Sequence, residues 1–237
     1  LGEGSKPIIY NVMNFAKAPE GEQTLLSFDD ARTLFHEFGH ALHGMLSNVT
    51  WPSVSGTSVS RDFVELPSQL YEHWLTAPEV LGEHACHYKT GEAMPKTLID
   101  KLTAARTFNA GFQTIEFTAS AIVDMDAHKD GAAANDPMAA EAAVLARLAM
   151  PQGIIMRHRT PHFAHVYSGD GYSAGYYSYM WSEVLDADAF NAFEETGDAF
   201  DPATAARLKT HVYAAGGSVD PEDTYKAFRG RMPTPDA

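Results

Sequence analysis

The stretch His36-Glu37-Phe38-Gly39-His40 constrains this chain more than any other. Side chains four residues apart lie on one face of an α-helix, so His36 and His40 can aim two imidazoles at one metal ion. Glu37, beside the first of them, can reach a water at that metal. Two histidines and one carboxylate suit zinc, because they leave a coordination position open. Five residues with two free positions also arise by chance, so the surroundings must agree. Ser27-Phe28-Asp29-Asp30 reads as a capping box with Asp in place of Glu. Ala31, Leu34, Phe35, Phe38, Ala41, Leu42 and Met45 follow at helical spacing. This predicts a helix from about Asp29 to Leu46, with the apolar stripe as its packing face and the histidines opposite. His43 shares the histidine face and is read as supporting the ligands rather than binding metal.

Two histidines do not complete a zinc site. One zincin pattern requires a glycine three residues and a histidine six residues after the second His. Here those positions are His43 and Leu46, so that pattern fails. The alternative is a glutamate on a following helix, with Glu65, Glu72 and Glu79 as candidates. Spacing alone does not choose among the three.

The rest of the chain reads as mainly α, a single catalytic domain over residues 1–237. Pro7-Ile8-Ile9-Tyr10-Asn11-Val12 predicts one short strand. The next helix is expected to begin at Asp62, with Asp62 and Glu65 as a cap-and-N3 pair and Pro67 early in the helix. A shorter helical piece follows from Pro78, and Pro95 opens another helix from Lys96 to about Phe108. Residues 109–125 read as a buried helix, apolar on most sides. A loop runs from Asp130 to Pro137. Further helices are expected over 138–148, 176–193, 202–214 and 221–228, and 161–175 is irregular and glycine-rich.

A formal charge of −14 argues against nucleic acid as a partner. A single cysteine, Cys86, excludes an internal disulfide and fits a reducing, cytoplasmic setting. No apolar run reaches membrane-spanning length, and the opening residues Leu1-Gly2-Glu3-Gly4-Ser5 carry no methionine and no secretory apolar stretch. Both ends read as cut, so a longer protein is expected.

Several stretches together resemble the thimet oligopeptidase family of zinc peptidases. They are Phe35 to His43, Ser55-Gly56-Thr57, Arg61-Asp62-Phe63-Val64-Glu65-Leu66-Pro67-Ser68-Gln69, Glu72-His73-Trp74, Phe163-Ala164-His165, Gly171-Tyr172 and Gly175 to Glu183. The match runs in the family's order over nearly the whole chain. Ile9-Tyr10-Asn11-Val12, Tyr172-Ser173-Ala174-Gly175 and Asp186-Ala187-Asp188-Ala189-Phe190 resemble the dipeptidyl carboxypeptidase branch most, with oligopeptidase A next.

The resemblance implies that His36, His40 and Glu65 bind one zinc ion and that Glu37 is the general base. It implies substrate and transition-state roles for His165, Tyr172 and Tyr179. It implies short peptides as substrates, with release of C-terminal dipeptides or internal cleavage. Members of the family are long two-lobed helical proteins with a deep channel. This chain matches the C-terminal catalytic part alone, so the N-terminal half is the implied partner. The stretch Ser168-Gly169-Asp170-Gly171 is one residue longer than the family's usual loop. A dipeptide-releasing enzyme must hold a free carboxylate, which Arg binds bidentately; Arg157 and Arg159 are the candidates, though ordinary surface arginines are the plainer reading.

Overall fold

A computed structural model describes residues 6–129 and 136–234. The architecture is mainly α, and among the described residues no strand forms. The chain divides into two compact units. One comprises the residues up to Met94 together with those from Met180; the other is Pro95–Tyr179.

The first unit is built on α1 (Phe28–Leu46) and on a helical segment broken at Glu65 into α2 (Arg61–Val64) and α3 (Leu66–Glu72). The capping box of α1 forms as expected: Asp30 N–H donates to Ser27 Oγ, and Ser27 N–H to Asp30 Oδ2, both at 3.0 Å. α4 (Pro78–His84), α9 (Ser178–Glu194) from Met180 onward, α10 (Pro202–Leu208), a π-helical turn at Lys209–Tyr213 and α11 (Pro221–Arg229) complete the unit. Phe63, Leu66 and Leu70 pack with Leu185, Phe193, Val212 and Tyr225 into one core. Buried Asp188 ties α11 to α9. It accepts the Tyr225 hydroxyl at 2.8 Å and is flanked by Arg229 and Arg231.

The second unit holds α5 (Lys96–Thr107), α6 (Ala110–His128), α7 (Pro137–Arg147) and α8 (Ala164–Tyr167). Two small apolar clusters anchor it. Ala119, Val123, Val144 and Met156 make one; Ala121, Phe163, Val166 and Tyr176 make the other. Asp-Pro pairs open α7, α10 and α11. In each the Asp side chain accepts early backbone N–H groups and the proline occupies the first turn, where a donor is dispensable.

Four local expectations are corrected. Pro7–Val12 forms no strand. Ile8, Tyr10 and Val12 are 89%, 81% and 77% exposed, and a ladder needs a neighbouring edge that the described residues do not supply. The apolar stripe of α1 is only in part its packing face: Ala41 is buried, Leu42 packs on the core and Phe35 stacks on Tyr71. Leu34, Phe38 and Met45 are exposed, whereas the buried positions are Gly39, Ala41 and His43. The reason is Gly39: a Cβ there would sit 2.5 Å from the Pro67 carbonyl oxygen, so its absence lets α3 lie against the histidine side. Asp62 and Glu65 are not the expected cap-and-N3 pair. Ser60 is the N-cap of α2, while Glu65 stands at the N-cap position of α3 and turns inward to 1% exposure. Finally, α6 is buried only along part of its length, with Phe112 and Ile115 about half-exposed. The expected loop from Asp130 falls on 130–135, outside the described residues.

Candidate metal centre

His36 and His40 project from one face of α1, and Glu65 meets them from the junction of α2 and α3. Glu65 Oε2 lies 3.2 Å from Nε2 of each histidine. The two rings stand nearly perpendicular, 5.0 Å apart. The three donor atoms lie within 4.8 Å of one another. Spacing left three glutamates open, and the fold brings Glu65 to the imidazoles. Glu72 Oε1 instead lies 2.7 Å from His36 Nδ1, while Glu79 is exposed on α4. Glu65 Oε2 also accepts the Ser68 hydroxyl at 3.0 Å, which orients the carboxylate.

This arrangement demands positive charge. Glu72 is an acceptor, so it takes the Nδ1–H tautomer of neutral His36 and leaves the Nε2 lone pair facing Glu65. Lone pairs on nitrogen and carboxylate oxygen repel at 3.2 Å unless a cation or a proton lies between them. Burial works against charge on His36. Hydrogen bonds to Glu65 and Glu72 outweigh it and push the imidazole from 6.5 up to about 9. Two imidazoles, a buried carboxylate and a second carboxylate behind one imidazole make a donor set of the kind zinc takes. His43 plays a different part from the one expected. It is fully buried, burial and the neighbouring His40 hold it down at about 4, and its ring packs edge-on against Tyr213. Among the described residues neither of its nitrogens has a hydrogen-bond partner.

The second unit assembles the other sequence candidates. His165 stands on α8, Tyr172 on the following loop and Tyr179 at the start of α9. His165 Nε2 and the Tyr179 hydroxyl are 2.8 Å apart. The rings of Tyr172 and Tyr179 are 5.8 Å apart and inclined by 5°. His165 packs edge-on against Tyr172 at 4.7 Å. Tyr176 is buried beneath, stacked on Phe117, and burial raises its phenol. Of the two arginines, Arg159 is engaged: its Nε lies 2.8 Å from buried Glu141 Oε1. Arg157 is exposed.

Sequence reasoning missed two carboxylates. Asp186 lies 2.6 Å from His73 Nε2, next in the chain to Glu72, and burial raises the acid to about 6 despite that partner. Asp124 is buried in α6 and grips the backbone before Tyr179. Neither contact has a local signal, since 113 residues separate one pair and 50 the other.

An H-E-x-x-H helix with a glutamate closing the cluster, in a mainly helical chain, defines a zincin-type candidate centre. The chain belongs to peptidase family M3, whose family model matches residues 2–237. It is 40% identical to the dipeptidyl carboxypeptidase of Escherichia coli, across 96% of this chain and 34% of that protein. It is equally 40% identical to oligopeptidase A of the same species, across 100% of this chain and 35% of the relative. A thimet-like oligopeptidase of Dictyostelium discoideum is 34% identical over 98% of the chain. The chain therefore spans about a third of the length of the curated relatives it matches. No helix among the described residues is long and apolar enough to cross a membrane.

Proposed function

We propose that this chain carries the zinc-dependent catalytic site of a peptidase acting on short peptides, with one zinc ion held by His36, His40 and Glu65. The single observation that carries this reading is the convergence of those three side chains, with Glu65 Oε2 at 3.2 Å from both imidazoles. Zinc in such a site supplies Lewis acidity and draws the pKa of a water towards about 7. Glu37, adjacent to His36, would serve as the general base that accepts a proton from the attacking water and returns it to the leaving amine. Ser68 and Glu72 hold Glu65 and His36 in orientation. His165, Tyr172 and Tyr179 present N–H and O–H donors of the kind that stabilise a developing oxyanion, and we assign them that role.

We assign the release of C-terminal dipeptides as the leading specificity. The stretches at residues 9–12, 172–175 and 186–190 support it, as does a relative named dipeptidyl carboxypeptidase at 40% identity; a relative named oligopeptidase A at the same identity supports action on oligopeptides as the alternative. Arg159 pairs through Nε with Glu141, which gives it a structural partner in place of a free carboxylate. We place the activity in the cytoplasm, which the single cysteine supports. A second reading is a zinc-binding folded part that needs its N-terminal half for turnover. The exposure of Leu34, Phe38 and Met45 on α1 favours it.

Glu37→Gln is the direct test. The variant is expected to bind zinc as tightly as the parent by metal titration and to lose peptide hydrolysis. Retained turnover refutes the assignment of the base. Turnover that appears in the parent only after the N-terminal half is added selects the second reading.

A further inference from the structure

Asp124 is 1% exposed and sits in the buried stretch of α6. A lone carboxylate there is costly unless donors surround it. Two of its donors come from a distant loop. Ala174 N–H donates to Oδ1 and Tyr176 N–H to Oδ2, each at 2.9 Å. His128 Nδ1, one helical turn on, lies 2.9 Å from Oδ1. Both carboxylate oxygens are therefore engaged by backbone on either side of Gly175.

The backbone it grips is unusual. Ala174 has φ of 55°, a left-handed conformation that a residue with a Cβ adopts only at a cost. Such a conformation persists where surroundings over-determine it. Asp124 does so from one side. From the other, Ser173 Oγ lies 3.1 Å from the Val166 carbonyl on α8 and 3.0 Å from that of Gly169. The clamped amides bracket the turn between Tyr172 and Tyr179, whose rings lie parallel, with Tyr179 bonded to His165.

We propose that Asp124 is a positioning residue: its carboxylate clamps the Ala174 and Tyr176 amides and thereby sets the orientation of Tyr172 and Tyr179 towards substrate. This rests on the transition-state role assigned above to those tyrosines. A carboxylate is required because two amide N–H groups face its two oxygens. An amide in its place turns a donor towards one of them.

Exchange on the unaltered chain tests the clamp without any substitution. The amides of Ala174 and Tyr176 should exchange at least about 100-fold more slowly than those of 169–172; equal rates overturn the proposal. In Asp124→Asn, compared at a temperature where circular dichroism shows it folded, both amides should lose protection. Fluorine resonances of 3-fluorotyrosine at 172 and 179 should shift or broaden. These two readings hold whether or not peptide is cleaved. Turnover should fall by about 10-fold to 100-fold in kcat with KM changed less than about threefold. A residue that merely stabilises the fold lowers the melting temperature and leaves kcat of the folded fraction unchanged, and that outcome overturns the proposal. Tyr172→Phe and Tyr179→Phe separate the two claims. If both keep full turnover, the role assigned to the tyrosines fails. If they lose it while Asp124→Asn keeps rate and protection, the positioning role alone fails.

Discussion

Gly39→Ala adds one methyl group between the two elements that form the candidate metal centre. The new Cβ would meet the Pro67 carbonyl oxygen at 2.5 Å, Ser68 Cα at 2.6 Å and the Pro67 carbonyl carbon at 3.0 Å, all of them backbone. No rotamer change relieves such a contact. Restoring an ordinary separation of about 3.5 Å requires α1 and α3 to part by roughly 1 Å at this point. Overpacking of this kind costs about 1–3 kcal/mol, and the better helix propensity of alanine returns up to about 1 kcal/mol. A net loss of about 1–2 kcal/mol is expected, read as a lower melting temperature in chelator. The effect on metal is larger in kind. Glu65 immediately precedes Leu66 and Pro67, so a displacement of that backbone draws its carboxylate away from His36 and His40. Zinc sites tolerate only about 0.2 Å in their ligand distances. Zinc affinity, measured by competition with a chromophoric chelator, should drop by at least about tenfold. A Gly39→Ala protein that melts with the parent and binds zinc equally well would refute the close approach as the device that assembles the site.

Glu72→Ala removes the acceptor at His36 Nδ1 and frees that ring to rotate; zinc affinity should weaken by about 10-fold to 100-fold, and an unchanged affinity in the same competition assay contradicts the orienting role. The pH dependence of zinc binding follows from His36, raised from 6.5 to about 9 in the metal-free site. Below about 9 zinc must displace that proton, so affinity should rise with pH, by up to about tenfold per unit, and flatten above it. The stability linkage has the opposite sign in the metal-free chain. The contribution of His36 is fully present below 6.5 and is lost as pH rises through about 9. Melting curves in chelator between these values should show that decline, and zinc affinity that is flat across the same window would count against the coupling.

Much of the candidate site was legible in the sequence because its parts are local. The helix that presents His36 and His40 is signalled by periodicity and by a capping box, and both need only neighbours in the chain. The Asp-Pro helix starts are legible for the same reason. The burial of α1 was not. Its apolar stripe marked only part of the packing face: Leu34, Phe38 and Met45 stay exposed, because the glycine at 39 lets another backbone approach the histidine side. The expected strand at Pro7–Val12 failed for a related reason. β-branched residues favour an extended chain, but a strand exists only in the presence of a partner edge.

The sequence by itself determined a mainly helical chain, two imidazoles on one face and a carboxylate beside them, since these follow from repeat geometry within a single helix. Spacing left Glu65, Glu72 and Glu79 open and only the family resemblance pointed to Glu65; tertiary structure brings Glu65 to the histidines, stands Glu72 behind His36, and lets Asp124 reach across 50 residues to the loop at Ala174. Those contacts depend on how closely separate segments pack, and that distance is set by the side chains absent at the crossing as much as by those present.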